Sequence, residues 1–177
     1  ASSATRRHER ITAALEPAES EPHMTAPASN TIRLTIDGIE ITVPKGTLVI
    51  EAARRVGVMI PHFCYHPKLK PDANCRMCLV EIEKMPKLQT SCSTIATDGM
   101  SVRTATTVVN DAHKSVLEFI LANHPLDCPV CDQAGECRLQ DYYMVYGLHT
   151  SEIPLEMKVR KRKVVDLGPM VVLDQER

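Results

Sequence analysis

Large aromatic side chains are nearly missing from this 177-residue chain, which has no Trp, two Phe and four Tyr. A core assembled from so few bulky groups is thin, so something besides packing is expected to organise part of the fold. Net charge is also missing: 21 Lys and Arg face 22 Asp and Glu, leaving −1. That balance removes the electrostatic case for a nucleic-acid binder. No segment approaches the roughly 20 apolar residues of a membrane span. There is no Gly-rich dinucleotide fingerprint and no internal repeat. Hydrophobic residues at 44% and charged residues at 24% nevertheless make the composition globular.

The ends carry little pattern. The chain opens on Ala1 and closes on Leu173-Asp174-Gln175-Glu176-Arg177 without a natural stop signal, the expectation for a piece of a longer chain, and Met24 is a candidate start. Residues 1–30 are rich in Ala, Ser, Thr, Pro and Glu, have no apolar period and read as disordered. They lack the apolar block of a secretory signal. Glu9, Glu16, Glu19 and Glu21 oppose a mitochondrial presequence. A reducing compartment is therefore expected, where cysteine serves metal binding rather than disulfides.

Ordered pattern begins near Thr31. Ile32, Leu34 and Ile36 alternate with polar residues, Asp37-Gly38 follows, and Ile39, Ile41 and Val43 alternate again. Two such runs around Asp-Gly predict a β-hairpin with a tight turn. Thr47 is expected to cap a helix running to about Val56, with Leu48, Val49, Ala52, Ala53 and Val56 inward and Gly57 ending it. Short strands are expected at 79–82, 88–90 and 100–103, completing a β-grasp sheet. A helix over 108–122 carries Val109, Val116, Leu117, Ile120 and Leu121 at helical spacing. A Cys-bearing loop and a short helix over 136–146 follow. The expected fold class is α+β, divided into an extension (1–30), a β-grasp domain (31–105), a small helical domain (106–147) and a connector (148–177).

What the chain does have is seven cysteines, an odd number that cannot all pair within one chain. Cys64, Cys75, Cys78 and Cys92 form one group, and Cys128, Cys131 and Cys137 a second, with His124 three residues ahead of it. Counting His124, two sets of four soft ligands result. Either set suits zinc or an iron–sulfur cluster. The Cys-x2-Cys loops turn backbone N–H groups inward, and Asn74, Arg76 and Met77 stand where such donors would serve bridging sulfides, which zinc does not have. Cys78 and Cys92 have a plain alternative as small buried hydrophobes. His62 and His66 flank Cys64 and compete as ligands, but a four-Cys set needs neither. Tyr142, Tyr143 and Tyr146 read as packing at helical spacing. Lys158, Arg160, Lys161, Arg162 and Lys163 read as a solvated basic strand.

The segments Cys75-Arg76-Met77-Cys78-Leu79-Val80-Glu81-Ile82-Glu83-Lys84 and Asn123-His124-Pro125-Leu126-Asp127-Cys128-Pro129-Val130-Cys131-Asp132-Gln133-Ala134-Gly135-Glu136-Cys137 resemble the large iron–sulfur subunit of respiratory complex I, the NADH–quinone oxidoreductase G-subunit family. The resemblance runs from about Thr31 to Arg177. It implies a 2Fe–2S ferredoxin-like β-grasp domain with Cys64, Cys75, Cys78 and Cys92 as ligands. It implies a 4Fe–4S cluster on His124, Cys128, Cys131 and Cys137. The spacing of ten residues between Cys64 and Cys75 departs from the four of plant-type ferredoxins. The family continues into a further Cys-rich 4Fe–4S module and a molybdopterin-oxidoreductase-like domain.

The function implied is a segment of an electron wire in the peripheral arm of the complex. NADH reduces a flavin on a partner subunit, and single electrons pass towards quinone. No acid, base or nucleophile is required. Imidazole in place of a thiolate makes a cluster less negative and raises its potential, as in Rieske centres. Implied partners are the flavin- and NADH-binding subunit and other peripheral-arm subunits, with no nucleic acid and no direct membrane span. The implied location is the cytoplasmic side of a bacterial inner membrane. Two competitors share features of this reading: the corresponding module of an NAD-linked hydrogenase or formate dehydrogenase, and a zinc-stabilised interaction module with no redox role.

Overall fold

The computed structural model describes residues 30–147, 152–159 and 165–173. The expected N-terminal extension lies almost wholly outside these residues, as do Arg160 to Lys163 of the basic run. The chain divides into two compact units, Ala1–His113 and Lys114–Arg177.

In the first unit, strands β1 (Thr31–Ile36) and β2 (Ile39–Pro44) form the expected hairpin, paired from Thr31 with Pro44 to Ile36 with Ile39. Its two turn residues, Asp37 and Gly38, both have positive φ (48° and 85°), the geometry that makes Asp-Gly favourable between twisted strands. The Asp37 carboxylate is also tied down, accepting from the Thr104 N–H (2.7 Å) and hydroxyl (2.5 Å). After helix α1 (Val49–Arg55) come β3 (Leu79–Ile82), β4 (Gln89–Thr90) and β5 (Met100–Arg103). The sheet order is β2-β1-β5-β3-β4, with β5 parallel to β1 and antiparallel to β3. This is the β-grasp arrangement.

Ile32, Leu34 and Ile36 of β1 point into the core with Val43, Val80, Ile82 and Val102, and α1 contributes Val49, Ile50, Ala52 and Ala53. Each fully buried aliphatic side chain stabilises by about 1.5–3 kcal/mol, which offsets the scarcity of aromatics. The alternation expected in β2 fails only beside the turn, since Ile41 packs partly buried against the core. Val43 is buried, whereas Ile39 beside the turn is 49% exposed.

The N-terminus of α1 differs from expectation. Thr47 does not cap it: the Thr47 hydroxyl donates back to the Pro44 carbonyl at 2.7 Å, and the N-cap position is Leu48, without a side-chain bond. The free helix N–H groups find backbone acceptors instead, Val49 at Thr94 O (2.9 Å) and Ile50 at Ser91 O (3.1 Å). The helix end is therefore stitched to the loop that carries Cys92. Gly57 ends the helix as expected, at φ +79°.

Helix α2 (Thr107–Leu121) runs from the first unit into the second. The second unit then has a 3-10 turn at Cys128–Val130 and helix α3 (Arg138–Tyr146). A Cβ at Gly147 would collide with the Tyr143 carbonyl that closes α3. The extended ending contains a short hairpin, β6 (Val165–Asp166) against β7 (Val172–Leu173).

Candidate metal centres

In the first unit the long loop between α1 and β3 delivers three cysteines and the loop after β4 delivers the fourth. Cys78 and Cys92 are buried, Cys64 and Cys75 half-buried. Ser91 fastens the two loops, since its N–H (3.0 Å) and its hydroxyl (2.9 Å) both donate to the Cys78 carbonyl. Tyr65 fastens the Cys64 segment to α1 by donating to Glu51 at 2.5 Å. Burial and that neighbouring carboxylate push the Tyr65 phenol far above its ordinary range, so it stays a donor. Arg76, between Cys75 and Cys78, lies in the left-handed region at φ 57°, and so does Ala73 at 55°.

The four thiols act on one another. Burial, a hydrogen bond with Cys78 and the charges of Cys78, Cys64 and Cys75 push the Cys92 thiol up to about 12. Cys75 goes the opposite way. Burial opposes its ionisation, but N–H groups of Cys64, Met77 and Phe63, together with the Cys64 side chain, outweigh burial and lower its pKa. Met77 is thus a donor as expected, and Phe63 and Cys64 are donors that spacing did not reveal. Four converging thiols cannot all ionise without a cation among them. Inward N–H groups favour a negatively charged sulfur centre. The donor set therefore fits an iron–sulfur cluster. Among the described residues, no three His, Cys, Asp or Glu side chains are arranged to hold a single metal ion.

The neighbouring histidines serve the loop. His62 is buried, donates from Nδ1 to Ile60 O at 2.8 Å and meets Tyr65 edge-on at 5.6 Å between ring centroids. His66 accepts at Nδ1 from the Lys68 N–H (3.2 Å).

In the second unit His124, Cys128, Cys131 and Cys137 all line one cavity of ≈ 870 Å³. Short turns place them there. His124 N–H reaches Leu121 O (3.1 Å) at the end of α2, and Ala134 N–H reaches Cys131 O (3.0 Å). Gly135 at φ +88° makes the turn that leads to Cys137, the N-cap position of α3. Cys128 is exposed, Cys131 and Cys137 half-buried. Tyr143 lines the same cavity, and Tyr146 is pushed up to about 12 by burial and by Tyr142. Lys158 departs from the solvated strand expected of it. Its part-buried ammonium donates to the carbonyls of Leu121, Ala122 (3.2 Å) and His124 (3.0 Å).

Residues 29–107 match a family model described as a 2Fe-2S iron-sulfur cluster binding domain. Residues 113–152 match one described as the NADH-ubiquinone oxidoreductase-G iron-sulfur binding region. The second NADH-quinone oxidoreductase G-subunit of Rhizobium meliloti is 47% identical over 146 residues, 82% of this chain and 17% of the relative. The corresponding G-subunit of Mycobacterium tuberculosis is 50% identical over 148 residues, 82% of this chain and 18% of the relative. The chain belongs to the NADH–quinone oxidoreductase G-subunit family.

Membership extends to eukaryotic relatives. The mitochondrial NADH dehydrogenase [ubiquinone] iron-sulfur protein 1 of Solanum tuberosum is 49% identical over 142 residues, 79% of this chain and 19% of the relative. The chain spans about a fifth of the length of the G-subunit relatives it matches. Among solved structures, an NAD+-reducing [NiFe]-hydrogenase in the H2-reduced state is 31% identical with TM-score 0.66, covering 76% of this chain and 56% of that one. The cofactors of this G-subunit segment are therefore a 2Fe–2S and a 4Fe–4S cluster.

Proposed function

We propose that the chain is a segment of the electron wire of an NADH:quinone oxidoreductase, holding its 2Fe–2S cluster on Cys64, Cys75, Cys78 and Cys92 and its 4Fe–4S cluster on His124, Cys128, Cys131 and Cys137. The observation that carries this is the pairing of two separate soft-ligand sets with two iron–sulfur family matches, one over each set. An iron–sulfur cluster supplies one-electron uptake and release with little rearrangement. The chain's residues do the rest. Buried Cys78 and Cys92 keep water from one face of the first site. The N–H groups of Phe63, Cys64 and Met77 stabilise negative charge on Cys75. His124 brings a neutral ligand to the second site and so raises its potential.

The relatives are named as subunits, so partner subunits belong to this reading. A flavin- and NADH-binding subunit would supply electrons, other peripheral-arm subunits would receive them, and the assembly would sit against a membrane on its cytoplasmic side. No helix among the described residues is long and apolar enough to cross a membrane. The hydrogenase likeness favours a second reading, the electron-entry module of an NAD-linked hydrogenase. Which catalytic partner co-purifies with the chain separates the two.

The test is the iron, acid-labile sulfide and zinc content of the whole chain purified without oxygen. Roughly six iron and six sulfide per chain are expected. About two zinc with no sulfide would replace the electron carrier by a zinc-stabilised module.

A further inference from the structure

We propose that Lys158 is a positioning residue for the second site: it fixes the backbone that presents His124 and sets one positive charge at that centre's edge, holding its potential up. The inference rests on the reading of His124, Cys128, Cys131 and Cys137 as ligands.

An ammonium has three N–H donors, and Lys158 spends all three on the carbonyls of Leu121, Ala122 and His124. Leu121 is the last residue of α2 and Ala122 follows it, at the negative end of the helix dipole, and the Leu121 carbonyl also accepts from the His124 N–H at 3.1 Å. The third carbonyl belongs to His124 itself. One side chain thus joins the end of α2 to the residue that carries the imidazole. The next residue strengthens the join, since Val159 N–H donates to Asn123 Oδ1 at 3.0 Å. Lys158 also lines the same cavity as His124 and the three cysteines. A helix cap alone would not need to face the ligand set. A cation there favours the reduced, more negative form of whatever the cavity holds.

The experiment is potentiometric EPR on the full chain, purified without oxygen, as wild type, Lys158→Met and Lys158→Arg, with nitrogen hyperfine coupling from imidazole as a second readout. Lys158→Met is expected to lower the midpoint of the His-ligated centre. At the wild-type midpoint its reduced-to-oxidised ratio falls about tenfold, 59 mV for one electron. Lys158→Arg keeps the charge but not the compact three-carbonyl fit, so it recovers most of the potential while altering the imidazole coupling. The 2Fe–2S midpoint serves as internal control and stays in place. An unchanged potential in a loaded Lys158→Met chain, with imidazole coupling intact, overturns the role of Lys158 and leaves the ligand reading standing. Absence of imidazole coupling in wild type overturns the ligand reading and this inference with it. If Lys158→Met does not load, Lys158→Arg and Lys158→Gln decide. A wild-type potential in the first with a lowered one in the second supports the role. Equal potentials, or failure of all three to load, reduce Lys158 to a folding residue.

Discussion

The two units position their proposed ligands by different means. In the first, the cysteines project from loops anchored to a buried sheet and helix: Ser91 bonds the Cys78 carbonyl twice, and Tyr65 reaches Glu51 on α1. Cys78 and Cys92 belong to the same core as Leu34 and Val80. In the second, the 3-10 turn at Cys128–Val130 and α3 contain no buried residue. Short turns and the Lys158 clamp do the positioning there. A site built on a packed scaffold keeps its shape when its metal leaves. A site built on turns draws much of its folding free energy from the metal.

The sharpest way to break this contrast is to remove one ligand from each site. Cys78→Ser is expected to abolish the 2Fe–2S signal while the five-stranded sheet stays folded and the second cluster survives. Cys131→Ser is expected to abolish the second cluster and also release the 138–146 segment. Hydrogen exchange there rises to nearly unfolded rates, a change of several kcal/mol in local stability given the strength of metal-coupled folding. Equal protection of 138–146 in the two variants would erase the distinction. Loss of both clusters on Cys78→Ser would show that the units do not fold independently.

A smaller effect comes from the core. Leu34 is 1% exposed, central in β1 between β2 and β5. Leu34→Ala is expected to cost about 2–5 kcal/mol in denaturant unfolding of the first unit, through lost burial and the cavity left behind. The EPR signal of the second centre stays in place. Co-loss of that signal at the same denaturant concentration would mean that the second unit also depends on the sheet.

Much of this was readable in advance, for physical reasons that differ by region. The β1–β2 hairpin was legible because period-two alternation and Asp37-Gly38 are local signals that agree. Strands β3 and β5 and helix α2 emerged within a residue of their expected bounds, since their apolar spacing is strong. The two Cys and His groups, proposed above as ligand sets, stood out because these residues cluster in sequence, and the structure gathers the second group around one cavity. The capping of α1 was not, because its acceptors, Ser91 and Thr94, lie some forty residues downstream. Lys158 was missed for a related reason. A side chain bonding carbonyls more than thirty residues away leaves no periodic trace, and its basic neighbours argued for solvent. The donors Phe63 and Cys64 were hidden because loop backbone direction is not written in residue type.

The smallest expected effect sharpens the contrast by pH. His113 is fully buried on α2 and donates from Nε2 to Leu79 O at 3.0 Å, one residue beyond Cys78. Burial lowers its pKa below the ordinary 6.5, only partly countered by that hydrogen bond. The unfolded chain therefore takes up a proton at a pH where the native imidazole remains neutral. Stability contributed by the neutral native form is fully present above about pH 6.5 and falls as pH drops below it. His113→Gln keeps a donor for Leu79 O but has nothing to titrate. Denaturant unfolding followed through the sheet, at about pH 7.5 and about pH 5.5, is expected to show a larger acid-induced loss in wild type than in His113→Gln. Contributions of groups common to both chains cancel in the comparison. Identical losses would mean that acid weakens the first unit through groups other than His113, and that this buried imidazole serves only as a strut between α2 and β3.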